Sequence, residues 1–238
     1  MEFLLDPTVW AAFVTLCILE IVLGIDNLIL LSILTDKLPP HKRKTARRVG
    51  LIVALFARIA LISLIFALAH LTEPLFSIFN QDFSWRDIIL IGGGLFLLAK
   101  GTTEIHHKIE GVEGGPVESK YASFGMVIGQ IIIMDIVFSF DSVLTAVGIA
   151  DHVEVMIAAI IVSVIFMLVT VNWISDFIAR HPTVKVLALS YMLLIGMALI
   201  GEGMGMHIPK GYLYFAMAFS FGVEIINMVI RKKSRAQH

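Results

Sequence analysis

Two stretches carry carboxylates where carboxylates are costly. Leu19 to Leu31 reads LEIVLGIDNLILL, setting Glu20, Asp26 and Asn27 inside an apolar run long enough to cross a bilayer. Met134 to Ala146, 115 positions later, reads MDIVFSFDSVLTA and repeats it, so that Glu20 aligns with Asp135, Asp26 with Asp141 and Asn27 with Ser142. Ionisable side chains at membrane depth are rare and mark ion paths, proton relays or ligand sites. The donors on offer are carboxylates, the Asn27 amide, the Ser142 hydroxyl, Gln130 and main-chain carbonyls. These are hard oxygens, suited to Mg2+, Ca2+ or Mn2+ and not to Cu(I) or thiolate-bound zinc. A transported divalent cation is the natural partner. Protons taken up by the same acids are the rival, and the two combine in a proton-coupled exporter.

The elements that must position these residues are membrane helices. The 238 residues are 58% apolar, with a mean hydropathy of +0.91 and only 16% charged, against an apolar share of about 45–50% in soluble domains. The fold class is all-α, a polytopic membrane protein in contact with the lipid bilayer. Apolar runs of helix-spanning length fall at 8–34, 46–70, 87–105, 121–150, 153–177, 184–206 and 211–230. Seven spans form a single membrane domain over 1–238, with a basic tail at 231–238. Lys37, Lys42, Arg43, Lys44, Arg47 and Arg48 follow the first run; Lys108 and Lys120 follow the third; Arg180 and Lys185 the fifth; and Arg231, Lys232, Lys233 and Arg235 the last. Basic connectors mark the cytoplasmic side, which puts the N-terminus outside and the C-terminus inside. The opening MEFLLDP lacks a basic n-region and leads into a run too long for a signal-peptide core, so it is expected to be retained. The net charge of -1 hides this segregation and gives no reason to expect nucleic acid. The single cysteine, Cys17, allows no intrachain disulfide and reads as a packing residue.

The repeat extends beyond its acidic signature. Gly94 to Gly101 (GLFLLAKG) resembles Gly196 to Gly203 (GMALIGEG) at an offset of 102, with Lys100 exchanged for Glu202. Residues 8–105 and 121–206 are thus two three-span repeats, and an odd number of crossings in each inserts the second upside down. The run at 211–230 is an extra span. In inverted repeats Glu20 and Asp135 both fall near mid-membrane, while Asp26 and Asp141 lie about 9 Å to opposite sides along their helices. Residues six apart on an ideal helix face about 120° apart. For Glu20 and Asp26 to share a face, the helices are expected to loosen near Gly24 and Ser139.

Other polar residues are accessory candidates. Glu224 lies beside Asn227 in the last run, and Arg58 is a buried base placed to neutralise one carboxylate. Lys100 and Glu202 sit near span ends and read as snorkelling side chains; Asn172 and Trp173 read as packing or anchoring residues. A cytoplasmic loop, EIHHKIEGVE, gathers Glu104, His106, His107, Glu110 and Glu113, which could catch a cation or simply form a solvated amphipathic face. Met204, Met206 and His207 would be a weak soft-metal site.

The signatures LEIVLGIDN and DIVFSFDSV, the loop EIHHKIEG and the VEIIN of the last span together resemble the TerC family over nearly the whole chain. The resemblance implies a bacterial inner-membrane protein of the LysE-type exporter group, some of whose members are associated with manganese efflux and with metal supply to exported enzymes. Carried over position by position, it implies a metal path through Glu20, Asp26, Asn27, Asp135, Asp141 and Ser142. Some members continue into cytoplasmic regulatory domains of the CBS and CorC type. This chain stops at RKKSRAQH and is expected to lack them. His106–His107 departs from the His-Glu of the family at that position.

The favoured reading is a divalent cation exporter, for Mn2+ by resemblance, with no permanently bound cofactor. An exporter of a small cationic metabolite would use the same acids as counter-charges. An assembly or secretion partner would handle metal only indirectly, and any tellurium phenotype is expected to be indirect, since tellurite is an anion. An intramembrane aspartyl protease needs two carboxyls sharing a proton. Gly24-Ile25-Asp26 gives only part of the GxGD element, and helical rise sets Asp26 and Asp141 about 18 Å apart in depth. No enzyme is expected.

Overall fold

The computed structural model describes residues 6–67, 74–78, 81–109, 122–147 and 153–235, and of 65–67, 74–78, 81–82, 108–109, 141–142, 144–147 and 232–235 the backbone only. Among the described residues seven helices run: α1 Pro7–Thr35, α2 Pro40–Ala67, α3 Trp85–Ile109, α4 Phe124–Val147, α5 Val153–Arg180, α6 Pro182–Gly203 and α7 Lys210–Arg235. The all-α polytopic reading stands: α1, α3, α5, α6 and α7 are each long and apolar enough to cross a membrane, and α4 carries a shorter apolar stretch, Phe124–Phe140. A two-stranded sheet, β1 Pro74–Ile78 and β2 Gln81–Ser84, precedes α3, an element that the apolar runs do not signal.

Local chemistry sets the helix ends. Asp6 caps α1 through the Thr8 N–H (2.9 Å) and hydroxyl (2.8 Å), with Pro7 at the first helical position, where its missing N–H costs nothing. Ser84 and Asp87 form a reciprocal cap on α3: Ser84 donates from N–H (2.9 Å) and hydroxyl (2.6 Å) to the Asp87 carboxylate, and the Asp87 N–H returns to Ser84 Oγ (3.3 Å). α6 ends in a Schellman turn: Gly205, at φ 81°, lets the Met206 N–H reach the Gly201 carbonyl (2.9 Å) and its own N–H reach Glu202 (3.0 Å).

All of the basic cluster after the first span except Lys37 lies on the opening turns of α2, because Pro40 starts that helix before the apolar run begins. Its arginines close α1. Arg43 donates to the Leu38 and Asp36 carbonyls (2.9 and 2.8 Å), and buried Arg47 to Thr35 Oγ1 (3.2 Å).

The helices fall into two compact units, each drawing on both halves of the sequence. α1, α2, α4 and α5 (as far as Phe177) form one; α3, α6 and α7 form the other. In the first, α2 packs along α4, and α1 packs on both. One face of α1 (Leu16, Cys17, Glu20, Gly24) is buried, and the stripe Trp10, Val14, Ile18 is exposed, as suits a lipid-facing surface. In the second unit α3 and α6 pack antiparallel at two glycines that the sequence repeat aligns: a Cβ on Gly94 would lie 2.5 Å from the Gly196 carbonyl oxygen, and one on Gly196 3.0 Å from that of Gly94. Farther out the contacts interchange, Gly101 meeting Leu193 and Gly203 meeting Ile91. Those pairs swap under the 102-residue offset of the sequence repeat.

Candidate functional site

The site is built on α1, α2 and α4 within the first unit. Glu20 on α1 and Asp135 on α4 are 3% and 7% exposed, and both turn toward Arg58 on α2, itself 4% exposed. Arg58 Nη1 donates to Glu20 Oε2 (2.6 Å) and Nη2 to Asp135 Oδ1 (2.6 Å); Nε lies 3.0 and 3.2 Å from the two Asp135 oxygens. One guanidinium thus holds the two carboxylates that the repeat aligns, one oxygen at Glu20 and a fork at Asp135. The sequence reading gave Arg58 one carboxylate; it takes both. The arrangement resolves the cost of burying charge, since an isolated ionised carboxylate at this depth would be strongly unfavourable.

Around this triad the remaining polar groups are sparse. Asn27 Nδ2 approaches Asp135 Oδ1 at 3.4 Å, and Ser139, one turn after Asp135, donates to its Oδ2 at 3.4 Å. A cavity of about 20 Å³ opens beside Asn27, Arg58 and Asp135, walled by Leu31, Phe138 and Met167. It is large enough for one water or one bare ion. Asp26 is buried and has no hydrogen-bond or ion-pair partner among the described residues. Gln130 Oε1 and Asn172 Oδ1 are likewise buried without a hydrogen-bond partner. Asp141 and Ser142 lie on α4, but their side chains are outside the described residues. Among the described residues no three His, Cys, Asp or Glu side chains come together.

The expected loosening at Gly24 and Ser139 is not found: α1 and α4 are unbroken through both positions. Gly24 serves packing instead, since a Cβ there would lie 2.8 Å from Met167 Sδ on α5. Glu20 and Asp26 therefore keep their divergent helical directions. Cys17 is buried, its Sγ 3.9 Å from the Ala159 carbonyl, which suits a packing role.

In the second unit the accessory candidates have partners of their own. Glu224 on α7 accepts a hydrogen bond from the Thr183 hydroxyl on α6, with Asn227 half-buried one turn on. Glu202 pairs with Arg86 (2.8 Å) and Lys100 with Glu104 (2.8 Å). The EIHHKI segment is not a loop: Glu104, His106 and His107 lie on the last turns of α3, which runs on past its apolar stretch. Glu104 is buried and the histidines are exposed. Glu110 and Glu113 are outside the described residues. Met206 and His207 border a polar hollow of about 330 Å³ with Arg86, Asp87 and Glu202, while Met204 is exposed.

Comparison with known proteins fits this architecture. The chain is 50% identical to the inner membrane protein YgdQ of Escherichia coli (strain K12) over 229 residues, 96% of each chain. It is 50% identical to the inner membrane protein YoaE of the same strain over 233 residues, 98% of this chain but 45% of YoaE, so it spans about half of that relative. YegH of the same strain is 45% identical over 230 residues, 96% of this chain and 44% of YegH. No solved structure matches. The model of the integral membrane protein TerC family matches residues 5–238, and the chain belongs to that family.

Proposed function

We propose that this protein exports a divalent cation, Mn2+ by family resemblance, across the bacterial inner membrane along the carboxylates of α1 and α4. One observation carries the reading: repeat-aligned acids from two separate helices converge, buried, on a positively charged group. A pocket that stabilises one cation between hard oxygens has the donor chemistry for another. Asp26, buried and unpartnered among the described residues, extends that chemistry along α1. The interchanged contacts of α3 and α6 support inverted repeats, the usual scaffold for alternating access. Location follows the relatives named as inner membrane proteins, and the basic clusters favour an N-terminus outside and a C-terminus in the cytoplasm. Cargo is moved rather than transformed, with no resident cofactor, and proton uptake by the same acids supplies coupling.

A guanidinium between two carboxylates also suits export of a small cationic metabolite. The cavity of about 20 Å³ favours the bare ion. The test is Mn2+ uptake into everted membrane vesicles, with a proton gradient imposed or collapsed. Uptake above that of vesicles lacking the protein supports export, and gradient dependence adds coupling. Uptake equal to empty vesicles under both conditions overturns it and brings the assembly-partner reading forward.

A further inference from the structure

We propose that the guanidinium of Arg58 is the resident occupant of the cation site, a tethered surrogate that cargo must displace to bind and that expels cargo when it returns. The proposal rests on the divalent-cation reading and adds how the site is kept closed, emptied and selective.

The geometry leaves little alternative for an entering ion. Glu20 Oε2 and Asp135 Oδ1 are each 2.6 Å from an Arg58 nitrogen, and Asp135 Oδ2 is 3.0 Å from Nε. A Mn2+ ion bound to those oxygens at roughly 2.0–2.6 Å would occupy the space of the guanidinium nitrogens. The adjoining cavity of about 20 Å³ holds one water-sized particle. Binding at those oxygens and displacement of Arg58 therefore belong to one exchange.

Charge gives the exchange its purpose. Two ionised carboxylates and one guanidinium carry one net negative charge; the same carboxylates with a divalent ion carry none. Without Arg58 the empty site would expose two uncompensated charges to a low-dielectric interior, and a divalent ion falling between them would be held too tightly to leave. Conduction requires binding strong enough to admit an ion and weak enough to release it. A tethered competitor supplies that balance, because the apparent affinity for cargo falls by the fraction of time the site is open. It also discriminates by valence. A monovalent ion brings the same charge as Arg58 but must outcompete a forked, always-charged group, whereas a divalent ion brings twice the charge.

The experiment is Mn2+ binding to the purified full chain in detergent at pH 8, read by electron paramagnetic resonance, for the wild type, Arg58→Gln and Arg58→Lys. If Arg58 occupies the site nine-tenths of the time, Arg58→Gln should bind Mn2+ roughly tenfold more tightly. Added Na+ should then compete where it does not in the wild type. Arg58→Lys, with a compact charge and no fork, should fall between the two. A folded Arg58→Gln protein that binds Mn2+ no more tightly than the wild type overturns the proposal. If Arg58→Gln does not fold, Arg58→Lys decides: tighter binding than wild type supports displacement, and equal or weaker binding overturns it. If no form binds Mn2+, the divalent-cation reading itself falls and takes this proposal with it. Wild-type binding unchanged by either substitution removes the surrogate and leaves the cation reading intact.

Discussion

The crossing of α3 and α6 gives a sharp stability test. In lipid, helices gain little from hiding apolar surface and associate mainly through close packing, so small residues at a crossing matter. A Cβ on Gly94 would sit 2.5 Å from the Gly196 carbonyl oxygen, 2.7 Å from Ile200 Cγ1 and 3.1 Å from the Ile200 nitrogen. Two of those three atoms are backbone and cannot rotate aside. The helices would have to part by about 1 Å to restore ordinary van der Waals contact, and overpacking of this kind costs about 1–3 kcal/mol. The partner substitution is milder: a Cβ on Gly196 meets the Gly94 oxygen at 3.0 Å and the Leu97 and Leu98 side chains at 3.2 Å. At Gly92 nothing lies within 4 Å. Unfolding of the purified chain in mixed micelles, titrated with SDS and followed by circular dichroism, should rank Gly94→Ala as least stable, Gly196→Ala next and Gly92→Ala near wild type. Gly94→Ala within about 0.5 kcal/mol of Gly92→Ala, the scale of an uneventful substitution, would refute the reasoning.

Other perturbations follow from the same geometry. Asp135 makes three of the four Arg58 contacts and also receives Asn27, so Asp135→Asn should cost more than Glu20→Gln, about 3 kcal/mol for loss of a buried ionic partner; the micelle titration reads both. Gly205→Ala should lose about 1–2 kcal/mol, since φ 81° is left-handed, and the loss should appear as faster amide exchange at Met206. The Thr8 N–H, and next its hydroxyl, hold the exposed Asp6 carboxyl below its usual range. A depressed acid stabilises the fold above its unfolded pKa and loses that contribution as pH falls through the folded value. Amide exchange over the first turn of α1, corrected for its intrinsic pH dependence, should therefore lose protection on acidification in the wild type and not in Asp6→Ala.

What could be read from the chain was set by how far each signal reaches. Carboxylates in apolar runs are visible one residue at a time, so Glu20 and Asp135 stand out, and their alignment in the repeat suggests a similar depth but not the shared partner. Arg58 was visible as a buried base, but its hold on both acids depends on α2 packing between partners far away in sequence. Helices apolar on every side hide which face is buried: Leu16 and Ile18 look alike in sequence, yet one is 1% and the other 59% exposed. Gly24 illustrates the opposite error. Glycine permits both loosening and close approach, and only Met167 across the interface decides for packing. The polarity of the histidine segment ends the apolar run and so suggests a loop. α3 carries it instead on turns that continue the helix, with the Lys100–Glu104 pair one turn apart.

The most direct test of the central claim is Mn2+ flux through purified protein in liposomes, comparing the wild type with Glu20→Gln, Asp135→Asn and Asp26→Asn, with Gly92→Ala as the bystander. The acidic route requires flux in the wild type and Gly92→Ala and its loss in Glu20→Gln and Asp135→Asn, with Asp26→Asn impaired. Undiminished flux in folded Glu20→Gln and Asp135→Asn would place the ion elsewhere and contradict a path between α1 and α4.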